Sequence, residues 1–191
     1  MRSEDIKKFN LEMTDFINAL YDDGGKVLVY GDGRVQAKIM LIGEAPGEHE
    51  TIQGRPFVGK AGKNLDRFLD VTGFNRADLY ITNAVKFRPV KISKAGRTVN
   101  RTPSREEVEL FLPWLKREIE IVNPQCVVTL GNTSLRALTY GKQVIGAVHG
   151  QCLPLGDKTL FPIYHPASLI YNRALSDTYE KDLMKLASIF S

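Results

Sequence analysis

Cysteine is almost missing from this chain of 191 residues, which holds only Cys126 and Cys152. Two thiols cannot make a disulfide framework or a cysteine-rich metal site, so a reducing cytoplasm is the expected setting. No apolar run approaches the ~18 residues of a membrane span, and the opening MRSEDIKKFN lacks the apolar stretch of a secretory signal. Internal repeats and low-complexity tracts are absent. So is a GxGxxG turn, because Gly31-Asp32-Gly33 runs on into Arg-Val-Gln, which argues against a dinucleotide site.

What is present reads as one globular domain over residues 1–191, with 43% hydrophobic and 25% charged residues. The net charge of +4 is unevenly placed. The segment 86–101, KFRPVKISKAGRTVNR, carries Lys86, Arg88, Lys91, Lys94, Arg97 and Arg101 and no acid, and the rest of the chain is slightly acidic. A solvated surface loop is the plain explanation of such a run. Its Gly, Pro and Ser content, and its place after a strand-like segment, also suit a loop that contacts phosphates.

Apolar periodicity predicts a helix over 4–21, with Ile6, Phe9, Met13, Phe16, Ile17 and Leu20 on one face and Asp22–Gly25 as its stop. Short buried strands are expected at 38–42 (KIMLI), 79–82 (LYIT), 126–130 (CVVTL) and 159–163, with a further strand at 27–30. Helices are expected at 61–72, from Ser104 to Val122, at 132–139 and over about 174–190. Ser104 and Glu107 form a capping-box pattern, and Pro113 predicts a kink or break in the helix they open. Strands alternating with helices imply an α/β layered domain with a mostly parallel sheet. In such sheets ligands bind beyond the carboxyl ends of the strands. The loops 43–60, 83–103, 131–133 and 164–173 are therefore where chemistry is sought.

Taken singly, the residues in those loops are weak signals. Gly54–Lys60 fits GxxxxGK, but Ala61 follows where a magnesium-binding hydroxyl belongs, and the match begins eleven residues after Gly43 instead of leaving a strand directly. Glu44, Glu48, His49 and Glu50 crowd one loop without the spacing of a metal site. Phe57, Asn83 and His165 each have an ordinary structural explanation: packing, turn formation, a satisfied core histidine. Together they fall on loops that should meet at one end of the sheet, where a flat stacker, an amide and an imidazole make a pocket that reads a base.

Four runs then carry a resemblance: GEAPGEHETIQGRPFVGKAGKNL (Gly43–Leu65), NAVKFRP from Asn83, Asn100-Arg101-Thr102-Pro103, and His165-Pro166-Ala167. They resemble the uracil-DNA glycosylases, and most of all family 4, the iron–sulfur type, over about residues 25–190. The resemblance implies a three-layer α/β/α sandwich around a four-stranded parallel sheet. It also implies excision of uracil from DNA by cleavage of the N-glycosidic bond. A base must leave the duplex to reach such a pocket.

The family likeness casts Phe57 as the surface on which the flipped ring stacks and Asn83 as the reader of its edge. The backbone of Gly43, Ala45, Pro46 and Gly47 would hold the O2 side, His165 would donate to O2 as charge builds there, and Asn100 would help orient the substrate. Glu44 or Glu50 would position water or stabilise the sugar cation. Lys86, Arg88 and Arg101 would clamp phosphates, and Ser168, Leu169 and Ile170 follow the His motif where the superfamily inserts an apolar wedge.

The chain departs from family 4 in its cofactor. That family binds a 4Fe–4S cluster through four cysteines, and here Phe87 and Phe111 stand in place of the central pair, so no cluster and no metal are expected. Tyr171 and His149-Gly150 replace an Arg and an Arg-Gly of the family pattern. The expected partner is uracil-containing DNA, without a membrane, and the expected state is a monomer. Two other readings remain open from sequence: a nucleic-acid-binding relative that has lost activity, and a nucleotide hydrolase using Gly54–Lys60.

Overall fold

The computed structural model describes residues 2–21 and 26–190; for Arg2, Lys60, Ala61, Lys63, Asn64, Ile170, Tyr171 and Arg173 it describes the backbone only. The expected helix stop at Asp22–Gly25 lies outside the described residues.

Four strands form the centre of the sheet: β2 (Ile39–Gly43), β3 (Tyr80–Asn83), β6 (Cys126–Leu130) and β8 (Lys158–Ile163). They lie parallel in the order β3-β2-β6-β8. Two short antiparallel strands that the sequence did not announce, β1 (Asp32–Gly33) and β7 (Leu153–Leu155), close the edges. The expected strand at 27–30 is a single bridge between Leu28 and Phe87.

The central strands are buried on both faces because helices cover both, and strand alternation sorts their side chains into two cores. Met40, Ile42, Tyr80 and Val127 pack under α1 (Arg2–Leu20) and α4 (Arg105–Val122), against Phe9, Met13, Ile17, Phe111, Leu115 and Val122. Ile39, Leu41, Ile81 and Val128 pack on the other face under α3 (Lys60–Thr72) and α8 (Ser176–Phe190), against Leu65, Phe68, Tyr179 and Leu183. The result is the expected three-layer sandwich.

Pro113 does not break α4, which is continuous from Arg105 to Val122. The proline removes one backbone donor, but the buried stripe of Phe111, Leu115, Ile119 and Val122 holds the helix on both sides of it. The short helix α2 (Glu48–Gln53) lies within the expected loop 43–60, α5 (Asn132–Thr139) follows β6 with the short α6 (Ile145–Val148) after it, and α7 (Ser168–Tyr171) follows β8. Part of the basic segment is also ordered: β4 (Val90–Ile92) and β5 (Thr98–Asn100) form a separate antiparallel hairpin. Among the described residues no helix is long and apolar enough to cross a membrane.

Candidate active site

β2 leads to β3 on one side and is flanked by β6 on the other, so the chain changes direction across the β2–β6 gap. This is the point where open α/β sheets bind ligands. The loop after β2 and the start of α5 meet here, and the Thr133 hydroxyl donates to Oε2 of Glu44. A cleft of about 640 Å³ opens above the strand ends, with Glu44, Phe57, Asn83, Asn100 and His165 among its lining residues.

Gly43 shows how tightly this end is built. A Cβ there would lie 2.4 Å from Asn83 Oδ1 and 2.6 Å from the Phe57 ring. Only a glycine lets the end of β2, the Asn83 amide and the Phe57 ring come together. Asn83 is the last residue of β3 and is 3% exposed. Phe57 has the left-handed backbone angle φ 54°, uncommon for a bulky residue. Its pose is fixed from two sides. Arg76 donates to the carbonyls of Pro56 and Phe57, at 2.9 and 3.4 Å. Glu50 accepts from the N–H groups of Val58 and Gly59 at 3.1 and 2.7 Å, and from Gly47 at 3.1 Å.

His165 follows β8, and its ring stacks near Phe57, with 6.4 Å between centroids and 28° between planes. Burial pushes its pKa down to about 4. Nδ1 accepts the Ala167 N–H at 3.1 Å. Near neutral pH the ring is therefore uncharged, with its proton on Nε2.

Two sequence expectations need correction. Glu50 is buried and its carboxylate accepts three backbone N–H groups, so the part it plays here is to anchor the loop. Lys86 cannot touch phosphate. It is fully buried, 2.5 Å from Glu118 Oε2 on α4, and it also donates to Thr82. Burial pushes the Lys86 pKa down, against the pull of Glu118. Tyr80 completes this enclosed network, donating to Glu118 at 3.0 Å.

Arg88 and Arg101 do line the cleft, but each has intramolecular partners. Arg88 donates to Asn100 Oδ1 at 2.6 Å and lies 3.4 Å from Glu48. Arg101 forms a forked pair with Glu107, at 2.6 and 2.7 Å. Ala45, Pro46 and Gly47 line the same cleft. The Ser168 N–H bonds the His165 carbonyl at 2.8 Å, and Leu169 is half-buried against the second core. The side chain of Ile170 lies outside the described residues.

The phosphate-loop reading of Gly54–Lys60 fails on geometry, because the Val58 and Gly59 N–H groups already bond Glu50. His149 pairs with Asp182 of α8 at 2.8 Å.

The residues present do not fit an iron–sulfur cluster. Phe87 and Phe111 are buried edge-to-face at 5.6 Å, with Tyr21 6.0 Å from Phe87, so aromatic packing fills the space. Of the two cysteines, Cys126 is a core residue of β6 whose thiol burial pushes up to about 12, and Cys152 is exposed.

Sequence reasoning missed Arg76 and Thr133, for which no motif speaks. Glu118 was legible in principle: an acid three residues after Leu115 falls on the buried stripe of α4.

The profile of the Uracil DNA glycosylase superfamily matches residues 30–187. The chain is 39% identical over 175 residues to the type-4 uracil-DNA glycosylase of Saccharolobus solfataricus, covering 87% of this chain and 77% of that protein. It is 42% identical over 149 residues to the type-4 enzyme of Thermotoga maritima, covering 77% and 73%. Among solved structures, the crystal structure of Pedobacter heparinus SMUG2 superposes with a TM-score of 0.57 at 15% identity, covering 81% of this chain and 75% of that one. That last likeness concerns the fold.

Proposed function

This chain belongs to the uracil-DNA glycosylase superfamily, and on that footing we propose that it hydrolyses the bond between uracil and deoxyribose in DNA, opening base excision repair. The observation that carries the reading is the convergence of Phe57, Asn83 and His165 on one cleft.

A uracil turned out of the stack lies against the Phe57 ring. The Asn83 side-chain NH₂ donates to O4 and its C=O accepts from N3–H, and cytosine presents the reverse pattern. The loop backbone from Gly43 to Gly47 borders the O2 side, and Asn100 helps to orient the substrate. As the C1′–N1 bond breaks, its electron pair goes to the base and charge builds on O2. Neutral His165 donates from Nε2 to that oxygen, a contribution of roughly 2.7–4 kcal/mol for a preorganised donor. The sugar becomes cation-like. Water adds to C1′ and gives up a proton to solvent, and the released uracil anion takes one up. Glu44, held by Thr133 at the cleft wall, is the carboxylate that orients this water. The reading includes a cytoplasmic monomer.

The test is a duplex oligonucleotide carrying one uracil. The protein should leave an alkali-labile abasic site. Asn83→Ala and His165→Ala should each lower the single-turnover rate about 10²- to 10³-fold with the thermal midpoint kept. Binding to the duplex without any base release would identify an inactive relative instead.

A further inference from the structure

The basic segment contains more than the family motif uses. From Leu79 to Arg105 the chain has no acidic residue. Within it Lys86 is sealed in the core, and Arg88 and Arg101 are held by Asn100 and Glu107. Those two arginines staple the root of the β4–β5 hairpin. Arg101 also donates to the Val90 carbonyl at 3.1 Å, and its N–H bonds Pro89 at 3.1 Å. The far end is closed by a turn in which the Ser93 N–H bonds Arg97 O at 2.8 Å and Gly96 takes φ 72°.

Three cations remain on this ribbon, Lys91, Lys94 and Arg97. All are exposed, and no ion pair among the described residues involves them. The hairpin also bears two exposed apolar side chains. Ile92 is 68% exposed and Val90 40%. Register pairs Val90 with Asn100 and Ile92 with Thr98, so these four share one face of the ribbon. Thr98, Val99 and Asn100 line the cleft, and the apolar pair lies directly across the ribbon from Thr98 and Asn100. Leu169, the expected wedge, is by contrast half-buried against the core.

We propose that the β4–β5 hairpin is a DNA-gripping ribbon, with Lys91, Lys94 and Arg97 on backbone phosphates and Ile92 and Val90 pressed against the base stack beside the extruded nucleotide. This rests on the function proposed above. Duplex DNA is the occupant the chemistry selects: a two-stranded ribbon has the width of a groove, the free charge is all positive, and apolar wedges are how proteins hold an opened base step.

The test uses the full chain and a duplex carrying a hydrolysis-resistant 2′-fluorinated deoxyuridine, with affinity measured across a salt series. Replacing Lys91, Lys94 and Arg97 together by Gln should weaken binding at least about tenfold at low salt and flatten the slope of log K against log salt by about 0.9 per lost contact. Lys94→Glu alone, in the turn and outside both strands, should shift the slope in the same direction. Ile92→Ser should lower the ratio of duplex to single-strand uracil excision by about tenfold, because a single strand has little stack to open. An unchanged slope together with an unchanged ratio would overturn the proposal. Absence of uracil release by the wild type from either substrate would sink the glycosylase reading instead, and the salt slope would still report on the hairpin.

Discussion

The two ends of one basic segment behave as opposites. Lys86, at its start, is fully buried and paired with Glu118, whereas Lys91, Lys94 and Arg97, a few residues on, stand in solvent. In sequence they form one charge run. In the fold, the bend after β3 turns Lys86 inward and the hairpin carries the rest outward. Charge alone does not tell a phosphate contact from a structural ion. The partner does: Glu118 waits on the buried face of α4, and no ion pair among the described residues holds Lys91, Lys94 or Arg97. The same contrast recurs with Glu44, half-buried on the cleft wall, and Glu50, whose carboxylate accepts three backbone N–H groups.

The contrast breaks first at Lys86. Lys86→Met leaves the Glu118 carboxylate buried without its cation and should cost about 3–5 kcal/mol in urea unfolding. Lys86→Met with Glu118→Leu should recover most of that loss, and Lys91→Gln should stay within about 0.5 kcal/mol of wild type. A Lys86→Met protein as stable as wild type would erase the distinction. Next come the two glutamates. Glu44→Gln should slow single-turnover excision about 10²-fold and leave the unfolding midpoint in place. Glu50→Gln should instead destabilise the fold by about 1–3 kcal/mol, as an NH₂ faces donors that need an acceptor.

Smaller effects sharpen the picture. Arg76→Ala frees the carbonyls of Pro56 and Phe57, and should raise KM for uracil duplex more than it lowers kcat, at a stability cost of about 1.5 kcal/mol. Arg76→Lys should restore part of the KM. The smallest signal is the pH response of His165. Its pKa of about 4 lies below the unfolded value of 6.5. Between the two the unfolded chain binds a proton that the folded chain does not, so stability should fall as pH drops through that window. The rate should show no histidine limb near 6.5, and His165→Asn should remove that part of the acid destabilisation.

The central strands were legible because residues buried on both faces must be apolar: CVVTL and its neighbours leave no other reading. Motif loops converged because strand ends in such a sheet point one way. The hairpin was not legible. Its strands are three residues each and mostly exposed, too short and too little buried for a pattern to mark them. The short helix α2 hid for the same reason, since EHETIQ buries only Glu50. Lys86 and Glu50 were misread because residue type was visible and burial was not. A side chain's partner 32 residues away, as Glu118 is from Lys86, is a property of the fold.

Soaking free uracil into crystals of the protein asks the question at its simplest. The ring should lie against Phe57 with N3 and O4 facing the Asn83 amide and O2 within hydrogen-bond reach of His165 Nε2. Uracil bound elsewhere on the surface, with that slot vacant at concentrations that inhibit base release, would refute the assignment.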